Sequence, residues 1–312
     1  MGKTGTCVHI IVIVFCIAFL FSTWLTNIRI IKTIPLVKSL HVQIGNGTFS
    51  VVHEVRMKRT KEMFAAKRIS RKDLHPSDAI ALQDEIEALQ QVTKCEEIVT
   101  LFNVFDEPDY TFLVFEIMEG GDLIDRIVKK QHYTEFDAKE VSQKLLMGVN
   151  YCHKKKIANR DLKPENVLLK AGSDTNVKIS DFGYAKKVTF PNSLRTQCGT
   201  EGYVAPEILE HRPAYDVSCD MWSLGVIIYI VLGGYRPFRG EGEDVMRQIR
   251  YGDYKFHKRY WSHVSDDAKN LIKGMFLVQT FCQFFLQGNT YLGGVLEILC
   301  TNLITSRVTQ VC

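Results

Sequence analysis

The chain opens on an uncharged run from Val8 to Leu25, in which Ile10 to Phe21 is apolar without a break. The pattern then changes to that of an ordinary folded domain over about residues 41–275. Apolar positions at Val51, Val52 and Val55, then Phe64, Ala65 and Ala66, predict an opening antiparallel sheet. Ile80, Leu82, Ile86 and Leu89 recur at helical spacing and predict a helix over Asp78–Val92. Thr111 to Ile117 reads as a buried strand. Further helices are predicted around 136–153, 218–232, 243–250 and 265–275. Strands come first and helices later, the pattern of segregated α+β layers. From Phe276 the character changes again: Glu297 and Arg307 are the only charges, and Gly288, Gly293 and Gly294 interrupt the apolar pieces. That tail reads as a poor membrane span and a poor amphipathic helix.

Composition narrows the class. The 312 residues are 46% hydrophobic and 24% charged, which excludes a wholly disordered chain and allows a full core. Lys plus Arg is 39 against 35 Asp plus Glu, and a net charge of +4 is too weak to argue for a nucleic-acid partner. The nine cysteines are scattered, with no Cys-x-x-Cys pair, so neither a disulfide framework nor a structural zinc site is indicated.

The first run is eighteen residues long, near the lower limit for a spanning helix. Lys3 precedes it and Arg29, Lys32 and Lys38 follow, a bias that would leave the C-terminal side in the cytosol. A signal anchor, a cleaved signal and a gene-model artefact are the three readings of this segment. The expected location is cytoplasmic, either tethered through residues 8–25 or soluble.

Candidate chemistry lies in the middle. Gly45-Asn46-Gly47-Thr48-Phe49-Ser50 is a glycine-rich turn after Val42 and Ile44, where backbone amides can approach phosphate oxygens; a plain hairpin turn is the alternative. No helix follows and no Gly-Lys-Ser/Thr closes it, which excludes a dinucleotide fingerprint and a Walker A loop. Lys67 ends an apolar strand, and a lysine there needs an anionic partner. Glu85 on the predicted helix can supply it, while Asp84 and Glu87 read as helix-surface charge. Asn159-Arg160-Asp161-Leu162-Lys163-Pro164-Glu165-Asn166 sets an Asp, a Lys and an Asn on one loop. Asp181-Phe182-Gly183, Ala205-Pro206-Glu207 and Asp220-Met221-Trp222 follow in order.

That ordered set resembles a eukaryotic protein kinase over about residues 41–275. Lys163-Pro164-Glu165-Asn166 and the run Gly199 to Glu207 look like the serine/threonine branch. Glu119 to Ile127, Cys198 to Val204 and Ser223 to Phe238 look like the calcium/calmodulin-dependent group, similar to calmodulin-dependent kinase type I and calcium-dependent kinases. The resemblance implies a bilobal α+β fold: an antiparallel-sheet lobe over 41–118 and a mainly helical lobe over 119–275. Residues 1–40 are then an apolar leader, 276–312 an unrelated apolar tail, and the last helix of the lower lobe is missing.

The same resemblance implies ATP and Mg2+ as cofactors and assigns roles. Gly45 and Gly47 would cover the phosphates. Lys67 would hold them and pair with Glu85. Asp161 would accept the substrate hydroxyl proton, with Lys163 beside the moving phosphate. Asn166 and Asp181 would hold two magnesium ions. Adenine would lie between Ile44, Val52 and Ala65 above and Leu168 below. The Glu116 carbonyl and Met118 amide would bond its edge, with Phe115 as gatekeeper. Asp122 would meet the ribose or a basic substrate residue, and Thr200 would orient Asp161. The implied partners are protein substrates with basic residues near the acceptor Ser or Thr, and an upstream kinase acting on Thr196.

Three departures stand out. Ser50 replaces the usual third glycine, and Asn159 replaces the histidine before Arg160-Asp161. Asn159 would join the internal stack of Leu89, Leu101 and Phe182 and still bond the backbone near Asp181. After Met275 the family's acidic-proline turn and its arginine partner for Glu207 are absent, so Glu207 is expected to be unpaired. Calmodulin control is not expected, because neither a calmodulin-binding helix nor an Asp-x-Asp-x-Asp-Gly calcium loop is present. The alternative to an active kinase is a truncated or pseudokinase-like module that binds ATP or a partner without turnover.

Overall fold

A computed structural model of the chain describes residues 37–285 apart from Thr48, Phe49 and Asp73. The apolar run 8–25 and the residues after Phe285 lie outside the described residues. The upper lobe is a five-stranded antiparallel sheet of order β1-β2-β3-β5-β4. It is built from β1 (Val37–Asn46), β2 (Ser50–Met57), β3 (Met63–Ser70), β4 (Leu101–Asp106) and β5 (Tyr110–Glu116). Helix α1 (Pro76–Val92) interrupts the strands. Its start follows from local sequence: His75 accepts from the Ser77 amide, Asp78 accepts back from the His75 amide, and Pro76 is preset for a first turn.

The lower lobe holds α2 (Leu123–Lys130) and α3 (Glu135–Lys154), then the short strands β6 (Ile157–Ala158), β7 (Val167–Leu169), β8 (Val177–Ile179) and β9 (Lys186–Lys187). After these come α4 (Cys219–Gly233), α5 (Glu243–Tyr251), α6 (Lys258–Trp261) and α7 (Asp266–Phe285). All fifteen residues of α4 are buried, as a helix apolar on every side must be. The long helices stand where periodicity places them. The short strands and α2 are too brief to carry a period and emerge only from the tertiary fold.

One boundary differs from the expectation. The helix predicted to stop at Met275 continues to Phe285. Phe276 is 7% exposed and packs against Trp222 and Tyr254, each at a ring-centroid distance of 4.8 Å. Gly225 on α4 permits this, because a Cβ there would lie 2.9 Å from Met275 Cβ and 3.0 Å from Phe276 Cε1. Among the described residues, no helix is long and apolar enough to cross a membrane.

Candidate active site

The site forms where the sheet faces the loops around β6 to β9. Lys67 on β3 pairs in register with Val52 on β2 and Leu113 on β5, so its side chain leaves the sheet toward α1. Its Nζ lies 2.7 Å from Glu85 Oε1 and 3.6 Å from Asp181 Oδ1. Burial disfavours the ammonium, but the two carboxylates outweigh it and hold Lys67 above its ordinary pKa. The expected pairing with Glu85 is therefore present, and Lys67 also reaches the Asp181 segment. Asp84 instead pairs with Lys186.

Asp161 is 6% exposed and held from three sides. Thr200 donates to its Oδ1 at 2.6 Å, while Lys163 Nζ lies 2.9 Å and Asn166 Nδ2 3.1 Å from its Oδ2. Lys163 also donates to Thr200 at 2.8 Å, which closes the ring of contacts. Gly199 makes the approach of Thr200 possible: its φ is +109°, and a Cβ would sit 2.7 Å from the Arg160 carbonyl oxygen.

The loop itself hangs on Asp220 at the start of α4, a residue to which the sequence alone assigns no role. Asp220 is 1% exposed. Its carboxylate accepts the Asn159 amide at 2.9 Å and the Arg160 amide at 2.8 Å, and His153 Nε2 lies 2.9 Å away. Asn159 fills the histidine position with its polar groups satisfied. Its Nδ2 donates to the Asp181 carbonyl at 3.1 Å and its Oδ1 accepts the Asp161 amide at 3.1 Å.

The remaining candidates surround this centre. Ile44 is exposed, and Val52, Ala65, Phe115, Met118 and Leu168 are half-buried. Glu116 accepts the Thr100 amide at 2.7 Å and Lys178 Nζ at 2.5 Å through Oε1. That tie between the lobes carries no sequence signal, since Lys178 is 62 residues away. Asp122 caps α2, accepting the Asp125 amide at 2.8 Å. Gly47 and Ser50 close the glycine-rich turn through the Gly47 amide and the Ser50 carbonyl, 2.8 Å apart.

The protein kinase domain family matches residues 39–281. The chain belongs to the protein kinase family. It is 42% identical over 245 residues to a probable myosin light chain kinase of Dictyostelium discoideum, a match covering 77% of each chain. It is 39% identical over 247 residues to calcium/calmodulin-dependent protein kinase type 1 of Caenorhabditis elegans, covering 78% of this chain and 70% of that one. A calcium-dependent protein kinase of Plasmodium falciparum is 38% identical over 232 residues, 74% of this chain and 40% of that one. These relatives place the kinase in the serine/threonine class, calmodulin-dependent group, with the bilobal fold. ATP is the phosphoryl donor that the domain implies.

Proposed function

We propose that this kinase transfers phosphoryl groups from magnesium-bound ATP to serine or threonine hydroxyls flanked by basic residues. The observation that carries the reading is the Asp161 carboxylate, fixed by Thr200, Lys163 and Asn166 yet retaining a lone pair on Oδ1 for an incoming proton. Phosphoryl transfer needs mainly positioning and charge neutralisation. Asp161 takes the hydroxyl proton as the oxygen attacks the γ-phosphorus, and the bond to the ADP oxygen breaks. Lys163 stands next to that proton acceptor, and Lys67 stands between Glu85 and Asp181.

The oxygens fit a hard divalent cation. Asn166 commits Nδ2 to Asp161, which leaves Oδ1 without a hydrogen bond among the described residues. The Asp181 side chain is 47% exposed, and among the described residues only its Oδ1 is engaged, by the Gly183 amide and Lys67. Amide and carboxylate oxygens of this kind suit magnesium, which keeps its other positions for water and phosphate.

Glu119, Asp122 and Glu165 supply the acidic character for a basic substrate. Thr196 is exposed, and its carbonyl accepts the Tyr215 hydroxyl at 2.5 Å, which in turn accepts from Arg160 at 3.2 Å. A phosphate on Thr196 would add charge within the region Arg160 serves and order the segment. Thr196 found unmodified by mass spectrometry in fully active enzyme would reject that step. The uncharged run 8–25 supports a tether with the kinase on the cytosolic side, and loss of membrane sedimentation on deleting it is the expected result. Binding without turnover is the second reading, favoured by the buried Glu207 Oε2, which has no hydrogen bond among the described residues. A peptide phosphorylation assay with Mg-ATP, beside a thermal shift with the same ligand, separates the two: a shift with no transfer selects the second.

A further inference from the structure

Glu165 lies four residues after Asp161, in the 3-10 turn Pro164–Asn166 whose last side chain holds Asp161. Its Oε2 is buried with no hydrogen bond among the described residues. Its Oε1 lies 3.8 Å from Arg236 Nη2, too far for a hydrogen bond. The Tyr203 hydroxyl is also buried, and burial together with the Glu165 carboxylate outweighs the nearby Arg236 and pushes that phenol up to about 12. Arg236 stands beside both groups: its guanidinium carbon is 5.3 Å from the centre of the Tyr203 ring, and half its side chain faces solvent.

The backbone under Arg236 is set from both sides. Gly234 ends α4 in the left-handed region with φ +73° and donates to the Ile230 carbonyl. Pro237 follows, and Phe238 is 1% exposed and stacks on Trp222. The cation is thus delivered to one place, but among the described residues its side chain is held by a loose exposed ion pair with Glu165 and by ring and polar contacts with Tyr203 alone. The ion pair and the ring contact are among the weaker interactions a guanidinium can make.

We propose that Arg236 is a specificity-determining residue, an in-chain placeholder that neutralises Glu165 until the arginine of a substrate displaces it. The inference rests on the kinase reading with a peptide groove beside Asp161. A substrate guanidinium approaching from the groove can donate two parallel hydrogen bonds to the carboxylate and satisfy the idle Oε2, which Arg236 does not. Displacement of Arg236 subtracts from that gain. The chain as it stands therefore selects arginine more weakly than its exposed carboxylates suggest.

The test uses the full chain and serine peptides with Arg or Ala at each of the three positions before the acceptor. In Arg236→Gln the Arg-over-Ala ratio of kcat/KM should rise about tenfold at one position, chiefly through KM. In Glu165→Gln the ratio at that position should fall to about one, and adding Arg236→Gln should then change nothing. An unchanged ratio in active Arg236→Gln, or an equal rise in the Glu165→Gln background, overturns the proposal. Fluorescence anisotropy of a labelled arginine peptide reads the same subsite without turnover. Tighter binding to Arg236→Gln supports the placeholder even if the wild type phosphorylates no peptide, a result that would reject the catalytic reading alone. Equal binding by both proteins overturns the placeholder.

Discussion

Replacing Glu207 by Gln removes a charge and leaves the side chain's shape almost unchanged. Glu207 stands in the turn Pro206–Leu209, and its Oε2 is buried with no partner among the described residues. Burial, with Asp216 adding repulsion, pushes its carboxyl from 4.5 up to about 7. The folded pKa is raised, so between about pH 4.5 and 7 the folded chain keeps a proton that the unfolded chain has released. Stability then falls as pH rises through that window and is level above it. The full loss is about 3 kcal/mol at pH 8. Gln cannot ionise and escapes it. The expected result is a variant ahead of wild type by less than about 1 kcal/mol at pH 5 and by about 3 kcal/mol at pH 8. In a domain of this size that is a rise of about 6–12 °C in Tm. Scanning calorimetry of both proteins from pH 5 to 8 reads it directly. Equal midpoints at pH 8 would refute the reasoning. A less stable variant at pH 8 would show instead that a cation pairs with Glu207 in the native chain.

Asp161→Ala and Lys67→Met should each lower kcat by about two to four orders of magnitude with an unchanged circular dichroism spectrum; near wild-type turnover in either rejects its role. Phe276→Ala should cost about 3–5 kcal/mol in urea denaturation, because the ring is enclosed by Trp222, Phe238 and Tyr254. A loss below about 1 kcal/mol would mean that α7 past Met275 adds nothing to the core. Thr196→Ala should leave the fold intact and abolish any activity gained by phosphorylation of the loop, measured on protein before and after phosphatase treatment.

Much of the site is legible in the sequence because its chemistry is confined to short strings. Lys163 and Asn166 lie two and five residues after Asp161, so one loop delivers all three to the same place whatever surrounds it. The helices at 76–92 and 135–154 are equally legible, since an apolar stripe at helical spacing is a local property of the chain. The absent arginine partner of Glu207 follows from the family resemblance, and its Oε2 has no hydrogen bond among the described residues.

Other features are decided by which distant segments meet. Asp220 is marked in sequence as part of a motif, but its role as the anchor of the loop that carries Asp161 exists only once α4 buries its carboxylate beneath that loop. Lys178 reaches Glu116 only because β8 passes behind the end of β5. The end of α7 escapes a sequence reading for the same reason. Its apolar residues show no clean period, and what holds Phe276 is the bare surface of Gly225 on another helix. Arg236 and Glu165 are brought together by the turn after α4 and by nothing near either residue in the chain. A local string determines what a residue can do chemically, whereas burial and the neighbours contributed by remote segments determine its charge state, its partner and whether it is free to act.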